Sequence, residues 1–230
     1  MKEDRISAVK EHFNSEAGVW DERVLERVPH YKEMLGSIVS LLPFPEKRNI
    51  AVLDLGAGTG TLSFLIKQAF PKAQITCMDI APQMLEMSKK KLSGFSGIKF
   101  EQADLINYRF KEKYHAIVSC LALHHFAPDE KKMSFYRRLY KALKPGGVFL
   151  NADIILADNK KTQDVYLKKW GEFILGNLPD ADMKENLRRY YREDRPNKLN
   201  VELVWLKKAG FSSVDVHFKY YNFAVYGAIK

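Results

Sequence analysis

Residues 50–66, IAVLDLGAGTGTLSFLI, leave the chain few choices of fold. An apolar run ends on Asp54, glycines follow at 56, 58 and 60, and an amphipathic stretch begins at once. A strand that turns through a glycine loop into a helix is the opening unit of a parallel α/β sheet. Glycine at every second position weakens helix and strand alike, so the spacing implies a backbone that some other group must approach closely.

The rest of the chain follows that lead. ITCMDI (75–80), IKFEQAD (98–104) and YHAIVSCLAL (114–123) read as strands, with a helix over PQMLEMSKKKL between the first two. A helix follows Pro128 through Leu143, and the turn KPGG (144–147) introduces a fifth strand, VFLNADII. Strands alternating with helices of this length predict a sheet covered on both faces. Residues 1–42 read as helical with a break at Pro29. Residues 162–209 read as helical with interleaved aromatic and basic side chains, and 210–230 as an antiparallel hairpin closing one sheet edge.

The glycine loop narrows the ligand. A nucleoside triphosphate would want G-x-x-x-x-G-K-[ST], and no lysine stands in place. A dinucleotide would want its third glycine at 61, which is Thr61. Asp54 directly before the loop repels a pyrophosphate and suits a ligand with a cationic end, which points to S-adenosyl-L-methionine. Asp79, nineteen residues beyond Gly60, is placed to accept from ribose hydroxyls, and Asp104 from an adenine amino group. Single aspartates are often caps or turn residues, but three acids at successive strand ends favour a site.

On VLDLGAGTG, MDIAPQML, FEQADL and LKPGGVF, in that order, the chain resembles the class I S-adenosylmethionine-dependent methyltransferases over residues of about 45–155. The resemblance implies a Rossmann-like, seven-stranded, mostly parallel α/β sheet with an antiparallel C-terminal hairpin strand, helices on both faces and an N-terminal helical lid. It implies one methyltransferase unit over 1–230, divided into a lid (1–44), a cofactor-binding core (45–156), a helical substrate cap (157–209) and the hairpin (210–230). The cofactor-binding residues it implies are Tyr31, Asp54, Gly56, Ala57, Gly58, Gly60, Asp79, Ile80, Met84, Asp104, Leu105 and Cys120. In the family the glycine loop lies against the methionine part of the cofactor. Cys120 reads as strand packing rather than as a nucleophile.

The methyl acceptor is less legible. His124 and His125 stand beyond the fourth strand, where either could serve as a general base, although methyl transfer from a sulfonium can proceed by alignment alone. Metal binding would need further ligands, and there is no H-E-x-x-H and no other histidine nearby in the sequence. Neither NPPY nor DPPY follows the fourth strand, which lowers the case for an amino group on DNA bases or glutamine. A small-molecule acceptor is expected. Arg27, Tyr166, Trp170 and Tyr190 are substrate-binding candidates, and Arg27 would also suit the cofactor's carboxylate. Tyr166, Trp170, Phe173, Tyr190 and Tyr191 are expected to form an acceptor pocket with the N-terminal helices, or alternatively a homodimer interface.

RVPHY and YYNFAVYGAIK carry a narrower resemblance to the carboxy-S-adenosylmethionine synthases. These relatives make a carboxylated cofactor from S-adenosylmethionine and prephenate, and support wobble-uridine modification in tRNA. The sequence departs from them in the glycine loop and at Cys120, where an Asn is expected. Lys plus Arg number 37 against 28 Asp plus Glu. That excess fits RNA or a solvated lysine-rich surface, and scattered runs such as KKK (89–91) favour the second. In 188–198 the arginines stand beside Glu193 and Asp194, which favours i, i+4 pairing over nucleic acid, so RNA methylation is carried as an alternative. No apolar run approaches the ~20 residues of a membrane span, and MKEDRISAVKEHF has no signal-peptide character, so a cytoplasmic protein is expected.

Overall fold

A computed structural model describes residues 2–126 and 129–230, without the side chains of 2–5, 129–130 and 180–183. Pro128, read as the helix start, lies outside the described residues. The elements are α1 (Lys2–Glu16), α2 (Trp20–Arg27), α3 (Tyr31–Ser40), β1 (Ala51–Leu55), α4 (Thr61–Ala69), β2 (Gln74–Asp79), α5 (Pro82–Lys91), β3 (Ile98–Gln102) and β4 (Tyr114–Cys120). They continue with α6 (Asp129–Ala142), β5 (Leu143–Ile154), α7 (Lys160–Asn177), α8 (Asp180–Glu193), α9 (Leu199–Ala209), β6 (Ser212–Tyr220) and β7 (Phe223–Ile229).

The strands form one seven-stranded sheet in the order β3-β2-β1-β4-β5-β7-β6. β1 to β5 run parallel, and β7 pairs antiparallel with both β5 and β6. The order reverses between β1 and β4, and ligands in open α/β sheets bind outside the carboxyl ends at such a switch point.

Period-two alternation sorts the strand side chains onto two faces. Val52, Ile75, Ala116, Val118 and Leu150 meet α2, α3, α4 and α7 through Val24, Met34, Ile38, Ile66 and Ile174. Leu53, Leu55, Ile117, Phe149 and Tyr226 meet α6 and α9 through Phe135, Tyr136, Leu139 and Leu206. Fully burying such a side chain contributes about 1.5–3 kcal/mol, so the sheet ends are fixed from both sides. Lys144–Gly147, read as a turn before the fifth strand, belongs to β5, whose register with β4 shifts between Tyr114 and Ala116. β3 stops at Gln102, so Asp104 lies in the turn beyond it.

Candidate active site

Gly56, Gly58 and Gly60 all have positive φ, at 66°, 54° and 83°, which accounts for the spacing in backbone terms. A Cβ on Gly56 would stand 2.3 Å from Ala122 Cβ, beyond the end of β4, and one on Gly60 would stand 2.4 Å from Ser88 Oγ on α5. Two of the three glycines therefore admit neighbouring elements of the chain itself. Only Gly58 faces open space. The Gly58 amide donates to Asp79 Oδ2 at 2.8 Å, and the Ala81 amide donates to Asp79 Oδ1 at 2.8 Å, so Asp79 ties the loop to β2.

Around this loop opens a cavity with about 990 Å³ of empty space, its open mouth included. Tyr31, Asp54, Gly56, Ala57, Gly58 and Asp79 line one part of it. Ile80, Met84, Asp104, Leu105 and Cys120 line another. Gly60 is the exception among the expected cofactor residues; it is turned toward Ser88 and serves helix packing.

The charges in the cavity have assignable causes. Burial pushes Asp54 up to about 7, against the Ser63 hydroxyl that donates to it at 2.7 Å, and Asp79 pushes the same way. Asp79 is also raised by burial, opposed by its amide donors. Asp104 accepts from the Ile106 amide and from Asn107 Nδ2, both at 2.9 Å, in the manner of a turn residue. Burial raises Cys120 well above the ordinary thiol range, which agrees with packing and not nucleophilicity.

The N-terminal helices close over the loop through a latch that the sequence did not single out. Asp21 on α2 accepts from Thr59 Oγ1 at 2.6 Å and Thr61 Oγ1 at 3.1 Å, and its other oxygen lies 2.7 Å from Lys91 Nζ on α5. Trp20, beside it, lines the cavity.

A second cavity adjoins the first and shares Phe13, Trp20, Leu121 and His125 with it. Leu121 takes φ 52°, a strained conformation for a branched side chain, at the end of β4 where the two spaces meet. Arg27, Trp170 and Tyr190 line the second cavity, with His12, His124, Arg189 and Asp194. Tyr166 lies apart from both cavities, stacked edge-on to Tyr221 and accepting from Lys219 Nζ. Arg27 does not line the first cavity; its Nη1 donates to Glu16 at 2.7 Å, Glu16 also holds Arg23 and Arg189, and Arg27 Nε is buried without a hydrogen bond. Trp170 donates from Nε1 to the Arg27 carbonyl at 2.7 Å and meets Tyr190 edge to face. Of the five aromatics offered as a pocket or an interface, Trp170 and Tyr190 are 6% and 7% exposed, Tyr166 and Phe173 are half-buried and Tyr191 is 63% exposed.

His124 and His125 occupy a 3-10 turn after β4. Burial opposes charge on His124, but Asp153 and Asp194 outweigh it and hold the ring up at about 10. Burial and the neighbouring His124 push His125 down to about 3. Asp153 and Asp194 were missed as site residues. Asp153 had a legible signal as an acid inside an apolar strand, whereas Asp194 had none.

The model of a methyltransferase domain matches residues 52–147. Carboxy-S-adenosyl-L-methionine synthase of Nautilia profundicola is 30% identical over 222 residues, covering 93% of this chain and 92% of that one. The chain belongs to the family of these carboxy-S-adenosyl-L-methionine synthases and carries a methyltransferase domain over residues 52–147. The synthase of Desulfotalea psychrophila is 28% identical over 228 residues, covering 95% and 91%. Among solved structures, DhpI in complex with S-adenosylhomocysteine has a TM-score of 0.65 at 18% identity, covering 95% of this chain and 93% of that one. Human N-acetylserotonin methyltransferase, in complex with S-adenosylmethionine, has 0.62 at 20%, covering 100% and 56%. The methyltransferase domain makes the chain a transferase with S-adenosyl-L-methionine as its cofactor. No helix among the described residues is long and apolar enough to cross a membrane.

Proposed function

We propose that this methyltransferase acts on a small-molecule acceptor held in the second cavity, with the cofactor in the first. The observation that carries this reading is the shared wall of Phe13, Trp20, Leu121 and His125, common to both linings among the described residues. The residues present suit the cofactor. Asp79 keeps lone pairs for ribose hydroxyls, Ile80, Met84 and Leu105 offer apolar surface to adenine, and Asp54 offers a carboxylate to an ammonium. When bound, the cofactor supplies a sulfonium-activated methyl group.

The chain's own part is alignment and exclusion of water. The lid helices and α7–α8 enclose the acceptor, and the Trp170 hydrogen bond to Arg27 joins the two. Alignment of nucleophile and leaving group in line can carry most of such a displacement. Neither histidine is poised as a general base, because an efficient one titrates near the working pH. His124, near 10, already holds its proton, and His125, near 3, is too weak to take one.

The nearly full-length likeness to carboxy-S-adenosyl-L-methionine synthases supports a second reading, a carboxylated cofactor as product. Against it, the first cavity has no Lys or Arg among its described lining residues to balance an added carboxylate. Mass spectrometry of the small molecules that copurify with the chain separates the two. S-adenosylmethionine or its demethylated product is expected; a carboxylated adduct would overturn the first reading in favour of the second.

A further inference from the structure

His124 and His125, their ring centroids 4.1 Å apart, both face one carboxylate. His124 Nε2 lies 3.5 Å and His125 Nδ1 lies 3.3 Å from one oxygen, Asp194 Oδ1. The three atoms are all within 4.8 Å of one another. Charge-assisted hydrogen bonds between such groups run about 2.7–2.9 Å, so these separations are long for ion pairing. They match the edge of a tetrahedron around an ion about 2.0–2.2 Å from each ligand, which is roughly 3.3–3.6 Å.

Two further observations point to an ion. Both ring nitrogens of His125 are buried and make no hydrogen bond, which leaves a neutral imidazole with an unused lone pair. His124 turns its other nitrogen, Nδ1, to Asp153 Oδ1, and Asp153 is itself held by the Ile154 amide at 2.9 Å and Asn151 Nδ2 at 3.2 Å. A ligating histidine backed by an oriented carboxylate is the usual second layer of a metal site. Asp153 and Asp194 feel Lys132 and Arg189 respectively, so the cluster is not an unbalanced acidic patch.

We propose that His124 Nε2, His125 Nδ1 and Asp194 Oδ1 bind a divalent transition-metal ion of the zinc type, which displaces the His124 Nε2 proton to solvent while Nδ1–H stays on Asp153, with its open coordination position facing the second cavity. Two imidazoles and one carboxylate suit zinc and its neighbours better than calcium or magnesium. Three protein ligands with an open position is the pattern of sites that take a ligand from solution or substrate. The open position would accept an oxygen donor, and so anchor an acceptor carrying a hydroxyl or carboxylate beside the shared wall.

The test uses the full chain, stripped with a chelator and titrated with Zn²⁺ by calorimetry, with Co²⁺ absorption as a second readout. One ion per chain is expected. His125→Ala and Asp194→Ala should each abolish binding while keeping a cooperative thermal melt and the wild-type circular dichroism, which certify their fold. Asp153→Asn should weaken the ion 10- to 100-fold with the ligands intact. No ion bound by the wild type, or equal binding in the His125 and Asp194 variants, overturns the site. Neither result depends on whether methyl transfer occurs.

Discussion

Asp79 uses one lone pair of each oxygen on the backbone, so its removal acts on the loop as well as on a ligand. Asp79→Ala leaves the Gly58 and Ala81 amides without their acceptor, at about 1–3 kcal/mol each where buried. It also removes a charge-assisted contact to ribose of about 1.5–3 kcal/mol. The expected outcome is at least a tenfold loss of S-adenosylhomocysteine affinity together with a lower melting temperature, read by titration and thermal melt. Unchanged affinity would remove Asp79 from the ribose end. Asp54 gives a pH signature. Its folded pKa, about 7, lies above the unfolded value near 3.8, so the native state binds the extra proton between these limits. The unliganded protein should therefore lose stability as pH rises from about 4 to 7 and level off above. An ammonium ligand needs the carboxylate ionised, so affinity should climb as pH rises through 7, until the ligand's own amine deprotonates near pH 8. Asp54→Asn should flatten the climb; an identical slope in the variant would exclude Asp54 as its origin.

At the scale of elements, the latch between α2 and the glycine loop sets how long the cofactor stays. Asp21 is half-exposed, so each of its contacts contributes about 1 kcal/mol or less. Asp21→Ala should speed S-adenosylhomocysteine release a few-fold while leaving the fold intact, followed by stopped-flow fluorescence of Trp20 in the cavity wall. Release at the wild-type rate would mean that the lid is held elsewhere. The parallel sheet was legible because β1, β2 and β4 are apolar, short and each followed by a punctuated helix. The hairpin was legible because two strand-like runs follow one another directly. The latch was not, since Asp21, Thr59, Thr61 and Lys91 come from three separate segments and each alone reads as a surface polar residue. Gly60 was misread for a related reason: its spacing announces a left-handed backbone, but only the structure shows Ser88 on the other side. Tyr166 and Trp170 stand four apart on α7 and part company because Trp170 turns to Arg27 and Tyr166 to Lys219.

Across the whole molecule the formal charge of +9 does not concentrate where the sequence placed its arginine-rich stretch. Arg188 pairs with Glu185, Arg189 with Glu16 and Arg192 with Glu193, so pairing holds, although at spacings other than the i, i+4 expected. Glu16 gathers α1, α2 and α8 into one body. Burial pushes its carboxyl up, but Arg27 and then Arg189 outweigh burial and hold it near 2, below the unfolded value of 4.5. A depressed acid stabilises the fold above its unfolded pKa and loses that contribution as pH falls through the folded one. Stability to denaturant should therefore drop as pH falls from about 5 to 2, and Glu16→Gln should be less stable at neutral pH with a shallower acid slope. An equal slope would place the acid sensitivity in other groups.

The central claim is that the cavity around Asp54, Gly58 and Asp79 holds S-adenosylmethionine beside a separate acceptor space. Calorimetric titration of the folded full chain with S-adenosylmethionine and S-adenosylhomocysteine tests it most directly. One molecule bound per chain is predicted for each compound, with binding weakened in Asp79→Ala and retained in Trp170→Ala, whose side chain lines only the second cavity. Folded protein that binds neither compound, or whose binding is lost through Trp170 and indifferent to Asp79, would contradict the account.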